Sequence, residues 1–552
     1  MKRILTILLI VSIILSSCST QKLQRILVKT PKIEYKNIPG YKGFSDFKKD
    51  AIYAVELIRK SYPRIFQKNP DFNKQADEFT LKSSSIKNEK DFDILLKYFI
   101  AQLNDGHSNY YFDFKKYDSS RYAIFLIKEK DNWVIGNIDK EIDSLVIGTK
   151  IVSINNLPIK QIEEKILAFE SGENKHWKFN EFLSNKHFLS PSYWEAIGVS
   201  NPNDKKLNFK VSKSDTLIQF NLEAKNENQI KGYQVKTAIP KYRFALKQNN
   251  GFYDSISKKD NFAYLQMNKC LDIVSVKSEI GSYSNFLTRP LVMSLFIPKD
   301  IKKVDFGKYL QSFFIKINEQ NIENLIIDLS YNTGGDFRLG KQLIWYLTDK
   351  EPKGFTEYIH NSEFYKKTVK NDYKKYNNLH KTKYDKDLPD GETKITNELV
   401  KETFFDEITN EKSLFFVDNS MPKFKGKVYL IISPETFSAG QVLATTLADN
   451  GIATVIGRPL GNKPSTQTGG SAFKLPNTKK IISMSYFYME RPNQTKNNED
   501  SLYPEIEIHN SFDDFMKGEN KIIEYILNEV KKKKHRLTSY LQKRGFCASM
   551  KV

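Results

Sequence analysis

The sequence predicts a multidomain α/β protein with an N-terminal helical segment, a β-rich middle module and a core built on a mixed or parallel sheet. Three observations carry that prediction. At 552 residues the chain is too long for one hydrophobic core, so two to four domains are expected. From Phe262 onward, strand-like apolar runs alternate with helical stripes, the pattern of βαβ units. Between Tyr122 and Glu223 the rhythm is instead one of short strands separated by polar turns.

The N-terminus sets an expected location. Met1-Lys2-Arg3 is a positive start, and Ile4 to Leu15 is an apolar run too short to span a bilayer comfortably. It ends Leu15-Ser16-Ser17-Cys18, which resembles a bacterial lipoprotein signal. That resemblance implies lipidation of Cys18 after removal of the preceding residues. The mature body would then be anchored to a membrane outside the cytoplasm, with the periplasmic face of the outer membrane favoured because no acidic run follows Cys18. Residues 19–43 read as a tether.

Composition narrows the function classes. Apolar residues at 40% and aromatics at 13% suit ordinary globular packing. The net charge of +21 would fit an anionic polymer, but the lysines are scattered and no zinc-finger spacing, RNA-binding signature or phosphate loop accompanies them. No nucleic-acid partner is expected. Beyond Cys18 only Cys270 and Cys547 remain, which is no disulfide framework and no metal cluster. Neither cofactor nor metal is called for, and oligomeric state is not readable.

Residues 44–119 form the helical segment. Phe47, Ala51, Ala54, Val55 and Ile58 mark one apolar stripe, and Phe92, Leu95, Leu96, Phe99, Ile100 and Leu103 a stronger one. The second helix closes on Asn104-Asp105-Gly106-His107, with Gly106 expected in the left-handed conformation. Residues 120–225 are the β-rich module. Its segment Ile147-Gly148-Thr149-Lys150-Ile151-Val152-Ser153-Ile154-Asn155-Asn156-Leu157-Pro158-Ile159, with a helix over about Lys160–Leu167, resembles a PDZ domain, a fold that adds extended peptides to a sheet edge.

Residues 255–530 are the core. Strands are predicted at Phe262–Met267, Leu325–Leu329, Lys427–Ile432, Ile452–Ile456 and Ile481–Tyr488. Helices carry Leu310, Phe313, Phe314 and Ile317, then Leu339, Leu343, Ile344 and Leu347, and finally Ile522, Ile523, Ile526, Leu527 and Val530. Residues 350–420 interrupt the rhythm as a Lys/Asn/Tyr-rich insertion of surface loops and short helices. The basic tail, residues 531–552, is expected to fray.

Chemistry concentrates at two strand-to-helix corners and one histidine. After Lys427–Ile432 comes Ser433-Pro434-Glu435-Thr436-Phe437, and Ser438 opens a helix that Asn450-Gly451 stops. Serine is a favoured N-cap. A serine at such a corner is also where α/β hydrolytic enzymes expose a nucleophile, with free helix N–H groups at hand for an oxyanion. After Asp328-Leu329, the turn Ser330-Tyr331-Asn332-Thr333-Gly334-Gly335-Asp336 leaves backbone N–H groups unobstructed. The third element is His107.

Together these motifs resemble the tail-specific, or C-terminal processing, serine peptidases, on the branch that includes the tricorn protease core. The matching stretches are Asp105-Gly106-His107, Asp328 to Gly335, Thr436-Phe437-Ser438-Ala439-Gly440-Gln441 and Pro504-Glu505-Ile506, in the family's order with the PDZ-like segment between. Ser330 stands where the family has arginine, and Gln441 where it has glutamate. The resemblance implies Ser438 as nucleophile, His107 as base and a late acid orienting it, Glu499 first, with Asp500 or Glu490 as alternatives. It implies an oxyanion site from the N–H of Ala439 and of Gly334 or Gly335. Lys463, twenty-five residues after Ser438, is the alternative base, at the spacing the family's Ser–Lys members use. The expected activity is acyl transfer on peptide or protein substrates, at extended or C-terminal segments. The departures at Ser330 and Gln441 keep a second expectation open: a catalytically silent relative that binds peptides or apolar ligands.

Overall fold

In a computed structural model of the chain, the described residues are 30–31, 40–214, 216–233, 235–283 and 304–532. The expected signal segment with Cys18, most of the expected tether and the tail from residue 533 lie outside them. The chain divides into two units: residues 1–113, 357–395 and 467–488 form one, and residues 114–356, 396–466 and 489–552 the other.

The first unit gathers the N-terminal helices, much of the insertion and a hairpin from late in the chain. Its helices are Asp46–Ser61, Phe72–Ser83 and Glu89–Ala101, the first capped by the Ser45 side chain and the third by Asn88. The predicted stripes are buried at Ala51, Ala54, Val55, Ile58, Phe92, Leu96, Phe99 and Ile100, and Phe79 stacks on Phe99 at 4.2 Å between centroids. The left-handed residue after the third helix is Asn104, φ 48°, and not the expected Gly106. A short polar side chain tolerates that conformation. Asn109–Tyr110 pairs with Ile481–Met484, which pairs in turn with Ser471–Lys474.

The predicted strand over Ile481–Tyr488 is two strands, Ile481–Met484 and Phe487–Glu490. Ser485 breaks it, because its N–H donates to Ser108 Oγ and its hydroxyl to Asp105. The insertion is more ordered than loops. Thr356–Asn361 pairs antiparallel with Gly391–Lys394, and between them lie the helices Glu363–Thr368 and Lys370–Tyr384. The latter buries none of its residues, as its lysine- and asparagine-rich sequence requires.

The second unit contains the β-rich module and the core. The module is a seven-stranded antiparallel sheet over residues 121–225, with the Ile159–Phe169 helix where the PDZ-like segment places it. The core sheet has six strands. Phe252–Ser257 is antiparallel to Phe262–Met267, and then Phe262–Met267, Asn324–Asp328, Lys427–Ile432, Thr454–Gly457 and Ile506–Glu507 run parallel in that order.

Alternation along these strands sorts side chains to two faces. Ala263, Leu265, Leu325, Ile327, Val428, Leu430 and Ile432 meet the helices Phe306–Glu319, Phe337–Trp345 and Ala439–Asp449. On the other face Tyr264, Ile326, Tyr429, Ile431 and Ile456 meet Ile523, Ile526 and Val530 of the 521–532 helix. Burial on both faces explains why these strands read as unbroken apolar runs. A parallel sheet directs its strand-to-helix turns to one edge, where the two chemically marked turns of the sequence lie. No helix among the described residues is long and apolar enough to cross a membrane.

Candidate functional site

Ser438 joins the Lys427–Ile432 strand to the Ala439–Asp449 helix with φ 53° and ψ −123°. A β-carbon makes that backbone costly, of order 1–3 kcal/mol, so the surroundings must impose it. They do so from several directions. Thr436 Oγ1 donates to Leu329 O at 2.7 Å, Phe437 N to Asn332 O at 2.8 Å, and Ser438 N to Asn462 Oδ1 at 3.0 Å. The Phe437 ring stacks on Trp177 with centroids 3.9 Å apart. The Ser438 side chain makes no cap hydrogen bond, so its hydroxyl is not spent on the helix. Gly451, at φ 66°, ends that helix as the sequence predicts, with Ile452 N donating to Leu447 O at 2.9 Å.

The glycine turn packs directly against this corner. A β-carbon on Gly334 (φ 98°) would lie 2.6 Å from Ser438 Cβ, and one on Gly335 (φ 135°) 2.2 Å from Cys270 O. Asn332 is buried and organises the turn. Its Nδ2 donates to Met267 O at 2.8 Å, and its Oδ1 accepts Gly334 N at 2.9 Å. Gly334 therefore has its N–H engaged. Those of Gly335 and Ala439 meet no acceptor among the described residues.

The two departures from the family pattern have structural accounts. Ser330 N and Oγ both donate to Asp328, whose buried carboxyl also accepts from Tyr264 Oη at 2.6 Å. Burial raises the Asp328 pKa, against these hydrogen bonds. Gln441 is buried, and its amide donates to Thr445 Oγ1 at 3.0 Å and to Pro464 O at 3.2 Å. It thus ties the Ala439–Asp449 helix to the 461–464 loop by a donor that glutamate lacks. Lys463 sits in that loop, half-buried.

In the first unit, His107 follows Asp105 in a tightly bonded turn. Asp105 is fully buried and accepts from Tyr62 Oη at 3.0 Å, Ser485 Oγ at 2.7 Å, the Ser108 hydroxyl and His107 N at 2.9 Å. Ser483 Oγ donates to His107 O at 2.8 Å. The imidazole has Nδ1 3.8 Å from Asp105 Oδ1 and Nε2 3.5 Å from Thr468 Oγ1. Burial lowers its pKa, opposed by the Asp105 charge and a hydrogen bond to the Gln467 backbone. A histidine in this setting is neutral near pH 7, as a general base must be.

Two of the three late acids have other visible tasks. Glu499 Oε2 accepts from Arg491 Nη1 at 2.7 Å, while Asp449 takes Arg491 Nη2 at 2.6 Å. That is a different duty from the orienting role the resemblance gives Glu499. Asp500 accepts from Tyr503 Oη at 2.7 Å, and Glu490 ends the Phe487–Glu490 strand, half-buried. Sequence reasoning missed Asn332, Asn462, Trp177 and Glu173. Asn332 lay inside a recognised turn, where its side chain could have been suspected of bracing it. The other three lie in segments with no motif of their own.

A strand, a strained serine, a helix and an adjoining glycine turn make up the arrangement in which serine hydrolases present a nucleophile beside backbone N–H donors. Residues 296–508 match the profile of peptidase family S41, so that span is similar to the peptidase domain of a hydrolase family. The fold is similar to that of mature CPAF, at 13% identity and a TM-score of 0.57 over 88% of this chain and 96% of that one. A second structure, mature CPAF complexed with lactacystin, gives 15% identity and a TM-score of 0.57 over 90% and 99%. No curated protein matches the sequence.

Proposed function

We propose that the chain is an active serine peptidase that cleaves peptide bonds through an acyl-enzyme on Ser438. The observation that carries this reading is the Ser438 backbone: a non-glycine residue held at φ 53° and ψ −123° with its hydroxyl uncommitted to the helix. Such strain is kept where function needs it.

Ser438 Oγ attacks the substrate carbonyl as the neutral His107 imidazole takes its proton. The tetrahedral oxyanion is met by the N–H groups of Ala439 and Gly335. Collapse breaks the C–N bond, the imidazolium returns the proton to the leaving amine, and water then hydrolyses the ester. Asp105, 3.8 Å from Nδ1, favours the imidazolium formed in the first step. Extended or C-terminal peptide segments are the proposed substrates, taken up with help from the antiparallel module, where the Ile124–Glu129 strand ends the sheet order. The lipoprotein-like start proposes the site of action: outside the cytoplasm, on an anchor at Cys18.

A soluble form lacking residues 1–18 should gain the mass of one aryl phosphonate on Ser438. A folded protein that stays unmodified would sink the reading and leave the silent, ligand-binding one. For the anchor, incorporation of a palmitate analogue should be lost in Cys18→Ala.

A further inference from the structure

Glu173 lies in the loop between the Ile159–Phe169 and Lys175–Ser184 helices, inside the β-rich module's span and far in sequence from every motif. Its Oε1 accepts two hydrogen bonds, from Asn462 Nδ2 at 2.7 Å and from Thr466 Oγ1 at 2.6 Å. Asn462 is completely buried, and the other end of its amide, Oδ1, accepts the N–H of Ser438. A carboxylate is acceptor-only, so it admits one orientation of the Asn462 amide. Turned over, the amide would set its NH2 against the Ser438 N–H and its oxygen against the carboxylate.

The loop that carries Glu173 is pinned on its far side as well. Asn174 Nδ2 donates to Leu460 O at 3.1 Å and to Asp500 O at 2.8 Å, while its Oδ1 caps the next helix through Trp177 N. The Trp177 ring lies on Phe437, the residue before the nucleophile. A β-carbon on Gly461 would lie 2.2 Å from Pro434 O and 2.7 Å from Trp177 Cε3, so the 460–462 loop is clamped between corner and tryptophan.

We propose that Glu173 is a positioning residue for the nucleophile: acting through the Asn462 amide, its carboxylate holds the Ser438 N–H and with it the strained backbone that presents the hydroxyl. The charge strengthens this chain, because an amide polarised by a carboxylate at its NH2 is a better acceptor at its oxygen. Its consequence for catalysis rests on the peptidase reading; its consequence for the corner's geometry does not.

The test reads both. In Glu173→Ala, phosphonate labelling of Ser438 should slow about 100-fold, the scale of a small misplacement of reacting atoms. The loss should fall on the maximal labelling rate and not on the phosphonate concentration that half-saturates it. Hydrogen–deuterium exchange in the peptide covering residues 434–442 should accelerate more than exchange elsewhere, beyond the modest fall in thermal midpoint that the unmet Asn462 and Thr466 donors cause. Glu173→Gln should recover most of both, since its amide oxygen still accepts from Asn462. Asn462→Asp sets two carboxylates together and should be worse than either. Combining it with Glu173→Gln reverses donor and acceptor and should win labelling back over Asn462→Asp alone. Wild-type labelling and exchange in Glu173→Ala would overturn the proposal. A wild-type protein that takes no label would overturn the peptidase reading instead, and exchange would still decide for or against Glu173.

Discussion

The Ser438 corner and the His107 turn hold their reactive groups by opposite means. At Ser438 the backbone is forced and the side chain is left alone: main-chain bonds from Phe437 and Ser438, the Thr436 hydroxyl and a stacked Phe437 ring fix φ and ψ. At His107 the only positive φ is that of Asn104 at the turn's start, and from Asp105 to His107 the burden falls on side chains. Asp105 collects hydroxyls from Tyr62, Ser108 and Ser485 together with the His107 N–H. A nucleophile must project a short side chain, which only the backbone can aim. An imidazole must keep a tautomer and a proton affinity, which hydrogen bonds and burial set.

The contrast is broken most sharply at Ser438. Ser438→Ala should cost on the order of 10⁴-fold or more in kcat and leave stability near wild type, because the strain stays. Ser438→Gly should be equally inactive but more stable. Glycine accepts that backbone and releases about 1–3 kcal/mol of strain, against about 0.5–1 kcal/mol for its greater freedom when unfolded. Chemical denaturation of the three proteins checks this. A lower stability for the glycine variant would show that the corner stores no strain.

At His107 the expected losses are chemical. His107→Ala should lower kcat about 10²–10⁴-fold, and Lys463→Ala much less. Because burial lowers the His107 pKa below its ordinary 6.5, the neutral base survives into mildly acidic solution. The acidic limb of kcat/KM should therefore fall below pH 6.5 and not above it. A limb above neutrality that disappears in Lys463→Ala would transfer the base to the lysine. Below both in size comes Gly334→Ala. Its β-carbon would press on Ser438 Cβ at 2.6 Å, which should slow labelling about 100-fold and leave substrate affinity nearly unchanged.

Much of this was legible in the sequence, and the reasons differ from element to element. Strands such as Leu325 to Leu329 and Lys427 to Ile432 announce themselves because both faces are buried, so nearly every residue is apolar. The corner and the glycine turn are legible because their backbones demand particular residues. Local rules failed where distant partners decide. Ser485 ends a strand that hydrophobicity would continue, because Ser108 and Asp105 claim it. Gly334 looked like an oxyanion donor, yet the Asn332 side chain already takes its N–H. The Glu173 link crosses 289 residues of sequence to reach Asn462, and neither residue type signals such a meeting.

The mildest perturbation is also the one that weighs the family departure at Gln441. Restoring glutamate there removes the donor to Pro464 O and puts a carboxylate at a site only 1% exposed. Leaving that carbonyl unmet and burying a charge should destabilise the protein by about 3 kcal/mol at neutral pH. Burial would raise the new carboxyl's pKa above its unfolded value. Below the unfolded pKa the protonated carboxyl can itself donate to Pro464 O, so the penalty is nearly absent there, and it grows as pH rises toward the folded pKa. Thermal midpoints of Gln441→Glu and wild type should accordingly converge at about pH 4 and separate toward pH 8. Since Gln441 braces the helix after Ser438 without touching substrate, kcat at low temperature should fall less than about tenfold. A glutamate variant as stable as wild type and faster would mean that the amide braces nothing, and that glutamine in this position is a loss of function.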